Sequence, residues 1–220
     1  MESGTVTFTL MEMFRLGGVF MWPLLAFSIV TITIGIERLI YLLYHNLKVD
    51  DLGAKVSEIL AARDYQGAKD YLSAQTERRM GARILLALVN RATPVAGKAF
   101  SEHHVERAVE TEAMICINSL EKGFNFLVAL GSLSPLTGFL GTVSGMIGAF
   151  KSIAEATEVN AQIVANGIYE ALITTVCGLV IAIVAMIFHS VFTHMVDNFT
   201  SGVEKICSDL IADIAIQEEK

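Results

Sequence analysis

Charge is scarce in this sequence. Only 18% of its 220 residues are Asp, Glu, Lys or Arg, while 53% are hydrophobic and the mean hydropathy is +0.55. An ordinary soluble domain carries about a quarter charged residues, so membrane insertion is the first expectation. The 16 Lys and Arg are scattered without a run and the net charge is -7, which leaves no basic surface for nucleic acid. Cysteine is also sparse. Cys116, Cys177 and Cys207 lie far apart, with no CxxC and no Cys/His ligand spacing, so neither a disulfide framework nor a zinc site is expected. They read as small buried hydrophobes. His103 and His104 are adjacent and cannot share a helix face. His189 and His194, at the end of an apolar segment, suit the polar tips of a membrane interface better than a metal site. No metal or cofactor is expected.

What the sequence has instead is uncharged length. Apolar runs that a bilayer would accept extend from Leu16 to Ile36, from Gly123 to Phe150, and from about Gly167 to Phe188, the last broken only by Glu170. The first is long for a signal peptide, lacks an A-x-A cleavage site, and runs into Glu37, Arg38, Tyr41 and Tyr44 as an interface anchor would; it is expected to be a retained span. Positions 37 to 122 carry twelve Lys or Arg, whereas 151 to 166 carry only Lys151. The large loop is therefore expected inside, with the N-terminus and the 151 to 166 connection outside and the C-terminal tail inside.

Within the loop the pattern predicts helices over Asp50 to Ala62, Tyr65 to Leu72 and Arg78 to Arg91, with breaks near Gly67 and at Thr93-Pro94. From Ser101, a candidate N-cap, the residues Val105, Val109, Ala113, Cys116, Ile117 and Leu120 repeat at helical spacing. No breaker is evident before Pro135, which predicts one helix from about 101 to 151, roughly 75 Å long at 1.5 Å per residue. Beyond the third span Phe199, Val203, Ile206, Leu210 and Ile214 continue an apolar stripe. Such stripes need partners, so a cytoplasmic helical bundle is expected, within or between subunits.

The second span withholds side-chain volume along one face. Gly131, Gly138 and Gly145 repeat by seven, and Ser134, Gly141 and Gly148 repeat by seven between them. Close helix packing explains such a seam; so does room left for a pore or for another protein's helix. Ser132, Ser134, Thr137, Thr142 and Ser144 make the face polar, and Pro135 removes a donor from the Gly131 carbonyl. The third span offers a second small face in Gly167, Glu170, Ala171, Thr174, Gly178, Ala182 and Ala185, with Thr175 beside it. Glu170 is its one carboxylate. A charge at a helix centre costs about 2.5 to 3.5 kcal/mol, so this group either takes up a proton or faces water or a cation. If the span begins near Ala161, Glu170 lies about 13 Å into it. If it begins at Gly167, Glu170 is interfacial and neighbours such as Asn166 or Tyr169 could satisfy it. A narrow hydroxyl-lined face with one carboxyl suits protons better than a bulky solute.

The stretches SPLTGFLGTVSGMIGAF (134 to 150) and ANGIYEALITTVCGLVIAI (165 to 183) resemble the paired signature of the ExbB/TolQ/MotA proton-channel family. The three-span layout with a large first cytoplasmic loop is most similar to ExbB and TolQ. The resemblance implies that Thr142 stands for the threonine of the family's G-T-V motif, Glu170 for its intramembrane glutamate and Thr175 for the deeper hydroxyl. Ser134, Gly138, Gly141, Gly145, Thr174 and Gly178 would then line the pore or form the helix seam. It further implies a bacterial inner-membrane ring, a homopentamer, embedded in membrane lipids around a single-span partner of ExbD/TolR type. That partner's aspartate carries protons, and their flow would drive a TonB- or TolA-like protein that spans the periplasm. Ser144, Asn166 and Tyr169 depart from the family's usual residues.

The expected architecture is all-α, with three transmembrane helices, N-out and C-in, the second and third extending into a cytoplasmic bundle. Its divisions are a periplasmic segment (1–15), span 1 (16–44), a cytoplasmic loop (45–122), span 2 (123–151), a periplasmic loop (152–162), span 3 (163–190) and a C-terminal helix (191–220). Rival expectations are a non-conducting membrane scaffold, a stator-like subunit of another rotary motor, and an intramembrane enzyme. The last lacks a nucleophile and base or a metal-ligand set in the spans.

Overall fold

The computed structural model describes Phe14 and residues 17–93, 101–155 and 161–218. Among the described residues the regular structure is all helix, without a strand. In chain order the helices are α1 (Met21–Tyr44), α2 (Asp50–Ala61), α3 (Tyr65–Ser73), α4 (Met80–Ala92), α5 (Glu102–Glu121), α6 (Phe124–Glu155) and α7 (Ala161–Glu218). Three helical stretches are long and apolar enough to cross a bilayer: Met21–Tyr44, Glu102–Glu155 and Gly167–Gln217. The second of these contains the turn that separates α5 from α6. Most expectations for residues 1–15, and those for Leu16, Pro94 and 156–160, fall outside the described residues.

The chain divides into two compact units. One takes the described residues up to Ile36 together with Asn125–His189. Here α1 packs along α7: Met21, Leu24 and Ile173 form a buried cluster flanked by Phe27, Tyr169, Cys177 and Ile181. Tyr169, Ile173, Cys177 and Ile181 recur every four residues, so they form one stripe of α7. Further along, a Cβ on Gly35 would meet Phe188 Cε2 at 2.5 Å. Met21 near Ile173 and Gly35 near Phe188 make α1 and α7 parallel. Large apolar side chains such as Trp22, Phe139, Ile147 and Ile183 stay exposed. That is the pattern of helices whose solvent is lipid.

The other unit takes Glu37–Phe124 and the chain from Ser190 onward. Its core joins Leu52, Val56 and Leu60 of α2, Leu72 of α3, Ile84, Leu85 and Leu88 of α4, and Leu120 of α5, all at 3% exposure or less. Phe192, Val196, Phe199, Val203, Cys207, Leu210 and Ile214 of α7 are buried too, in keeping with the apolar stripe expected beyond the third span except at Ile206, which is half-buried. Phe124 stacks on Phe192 with ring centroids 5.8 Å apart. The end of α1 is tied to α5, because Arg38 donates to the Ser119 carbonyl at 3.3 Å and the Tyr41 and Ser119 hydroxyls lie 2.9 Å apart.

Two helix boundaries differ from expectation, each for a local reason. Gly67 does not break a helix; it lies in the first turn of α3, where its N–H donates to the Asp64 carboxylate at 2.8 Å. The break falls at Arg63, in the left-handed region at φ 58°, and Asp64 caps the helix that follows. Nor is there one helix from 101 to 151. α5 ends at Glu121 and α6 begins at Phe124, with Gly123 at φ 93° between them, a conformation that glycine adopts without steric cost. Pro135 sits inside α6 without ending it. Ser101 occupies the N-cap of α5, but its hydroxyl makes no cap bond.

Asp51 on α2 accepts from Arg79, ahead of α4, at 2.6 Å. That hydrogen bond, more than the charge attraction, holds the Asp51 carboxyl below the ordinary aspartate value of 3.8. Because the folded value is the lower one, the pair stabilises the fold above 3.8 and the contribution vanishes as pH falls through the folded value. Exposed pairs are worth less than about 1 kcal/mol. Asp51→Asn should therefore lower the melting temperature slightly at neutral pH and not at all well below pH 3.8. An equal loss at both, measured by thermal unfolding, would remove this role from the pair.

Candidate functional site

The small faces expected on the second and third spans meet each other. Gly145 of α6 lies against Gly167 and Ala171 of α7, Gly141 against Thr174, Gly138 against Thr174 and Thr175, and Gly131 against Met186. Positions that fall along α6 rise along α7, so the two helices are antiparallel. The approach is closest at the middle. A Cβ on Gly178 would stand 2.5 Å from the Ser134 carbonyl oxygen, and one on Gly138 would stand 2.8 Å from that of Thr174. Backbone meets backbone there, which only small residues allow.

Hydroxyls behave differently on the two helices. On α6 they return to their own backbone: Ser134 donates to Leu130 O at 2.6 Å, Thr137 to Leu133 O at 2.9 Å and Thr142 to Phe139 O at 2.6 Å. On α7, Thr174 and Thr175 cross the seam, donating to the Gly138 carbonyl at 3.3 and 3.2 Å. Thr174 shares its proton with Ala171 O at 2.8 Å. Ser134 and Thr174 are fully enclosed, at 0% and 1% exposure. Both hydroxyls spend their protons within the seam.

Glu170 is half-buried one turn before Thr174. Its carboxylate rests on Gly18, two residues short of the last turn position before α1: a Cβ there would lie 2.8 Å from Glu170 Cδ and overlap Oε1. Of the expected site residues, the structure thus brings Thr174 and Thr175 to Gly138, and places Gly141 and Gly145 on the same seam. Among the described residues no hydrogen bond joins Thr142, Thr175 and Glu170. Thr142 is half-buried on the flank of α6.

Sequence reasoning missed Gly18. The Gly17-Gly18 pair ahead of an apolar run is the signal that could have found it, since adjacent glycines mark a turn. It also missed Thr31, whose hydroxyl is enclosed in α1 without a hydrogen-bond partner. Thr33 beside it makes the usual bond to Ile29 O at 2.7 Å. No group of three or more metal-ligating side chains occurs among the described residues.

The family model of the MotA/TolQ/ExbB proton channel family matches residues 73–205, and the chain belongs to that family. Three apolar helices and this membership make it a multi-pass membrane protein. It is 33% identical over 183 residues to a putative biopolymer transport protein ExbB-like 3 of Synechocystis, covering 81% of this chain and 82% of the relative. It is 26% identical over 157 residues to the biopolymer transport protein ExbB of Salmonella typhimurium, covering 70% of this chain and 64% of that protein. The Tol-Pal system protein TolQ of Haemophilus influenzae is 43% identical over 74 residues, 34% of this chain and 32% of the relative. The match thus spans 64% of the length of the Salmonella ExbB.

The seam gives a paired test. Gly178→Ala forces a methyl into the Ser134 carbonyl, and overpacking of this kind costs about 1 to 3 kcal/mol. A Cβ on Gly148 would meet nothing within 4 Å, so Gly148→Ala should change stability by less than about 0.5 kcal/mol. Thermal unfolding of both variants in detergent should separate them by several degrees. Equal melting temperatures would contradict the close approach.

Proposed function

We propose that the chain is the ring-forming subunit of an inner-membrane motor driven by protons, of ExbB or TolQ type. Glu170, Thr142 and Thr175 border its proton path. The observation that carries this reading is Glu170: a half-buried carboxylate, and the one formally charged residue of α7 before Asp197, beside a seam of glycines and hydroxyls. An acid in such a place is expensive and marks an ion pathway by default. Family membership supports the same chemistry.

In this reading five copies surround the transmembrane helices of a smaller single-span partner whose aspartate carries the proton. Glu170 polarises the path, and the hydroxyls of Thr142 and Thr175 offer oxygen along it. The N-terminus and the 152–162 loop face the periplasm, while 45–122 and 191–220 face the cytoplasm. One proton moving down the field releases roughly 2.3 kcal/mol per 100 mV, so a few per stroke suffice to move a TonB- or TolA-like protein.

A second reading has a specific observation in its favour. The glycine seam packs α6 on α7 within one chain, which suits a scaffold that conducts nothing.

Substitution at the site distinguishes the two. Glu170→Gln and Glu170→Ala should abolish function that depends on the proton motive force, and Thr142→Ala or Thr175→Ala should reduce it, with assembly intact in each. A small single-span protein with an intramembrane aspartate should co-purify. Full energised function in Glu170→Ala would refute the proton-path role, and lost assembly with unchanged proton dependence in what remains would favour the scaffold.

A further inference from the structure

The turn that precedes α1 has a shape that its own helix does not require. Gly18 adopts φ +67°, while Met21 N–H closes back on Gly18 O at 3.3 Å and Trp22 N–H on Val19 O at 3.3 Å. A turn of this kind could stand clear of α7. Instead its one residue without a side chain lies under the Glu170 carboxylate, where any Cβ would overlap Oε1. The left-handed backbone calls for glycine, and the side chain that glycine lacks leaves the room the carboxylate takes.

We propose that Gly18 is a positioning residue for Glu170: its bare Cα is the seat on which the carboxylate rests, so the turn before α1 fixes where the carboxylate oxygens point. This rests on the reading of Glu170 as a proton-path residue, and adds that the first span, which contributes nothing to the glycine seam, helps set the site. The seat lies at the N-terminal end of α1, whose first N–H groups are bonded back to the turn, that of Leu24 to Phe20 O at 3.4 Å as well, so the contact with Glu170 is one of shape. Among the described residues, the first charged groups met on the packed helices are paired with each other. On α1 the first is Glu37, held by Arg38 at 2.6 Å. On α6 the nearest are Lys151 and Glu155, 3.9 Å from each other. On α7 the neighbouring titratable side chain is Tyr169. Among the described residues no ion pair involves Glu170.

A methyl at position 18 must push the carboxylate away from the end of α1. A carboxylate one carbon shorter would leave room for that methyl. The test uses the full chain in lipid and compares thermal unfolding of single and double variants. Gly18→Ala should lower the melting temperature by several degrees, and clearly less when Glu170→Asp is already present. Gly123→Ala, also at a left-handed glycine, should cost the same with either residue at position 170. An equal loss from Gly18→Ala in both backgrounds overturns the seat, and so does no loss at all. If Gly18→Ala fails to assemble, recovery of assembly in the double variant supports the seat, and equal failure overturns it. The comparison needs no energised function, so it tests the seat even where Glu170→Gln retains activity and the proton-path reading falls.

Discussion

Everything in the membrane-spanning unit depends on how closely α7 can approach the backbone of α6. At Gly138 two demands are met by one residue. Its missing side chain lets the Thr174 carbonyl come near, and its own carbonyl receives the hydroxyls of Thr174 and Thr175. In lipid there is no hydrophobic drive between helices, so close packing and interhelical hydrogen bonds of this kind supply the association. With α6 seated on one side of α7, the opposite stripe from Tyr169 to Ile181 is free to take α1.

That arrangement gives α7 two different interiors along one unbroken helix. Its first half presents small residues to α6 and larger ones to α1. Its second half buries Phe192, Phe199, Val203, Leu210 and Ile214 in the other unit. Fifty-eight residues without a break carry both patterns, because no proline or left-handed glycine intervenes. α6 and α5 divide the corresponding task between two helices, set apart by Gly123.

The sequence made legible whatever depends on composition over a long window. Three uncharged runs announced the spans, and the glycine heptads announced a small face, since both properties survive averaging. What it concealed were single residues whose meaning depends on a partner. Gly67 looked like a breaker and is a first-turn residue beside the Asp64 cap. Gly123 looked like part of an apolar run and ends a helix. The same glycine heptads were compatible with a pore wall or with packing, and only the position of α7 shows all their glycines but Gly148 packed against the chain itself. Glu170 stood out by charge alone, whereas Gly18, some distance away in the chain, could not be assigned to it from spacing.

The seat at Gly18 also carries an order of events. The turn is closed by local backbone bonds from Met21 and Trp22, so it can form as soon as the first span is made. Glu170 emerges from the ribosome much later, since chains are built and fold from the N-terminus. The carboxylate thus enters the bilayer to find its resting place already assembled. For a group that hydrocarbon penalises, this shortens the search for its packed position during biogenesis.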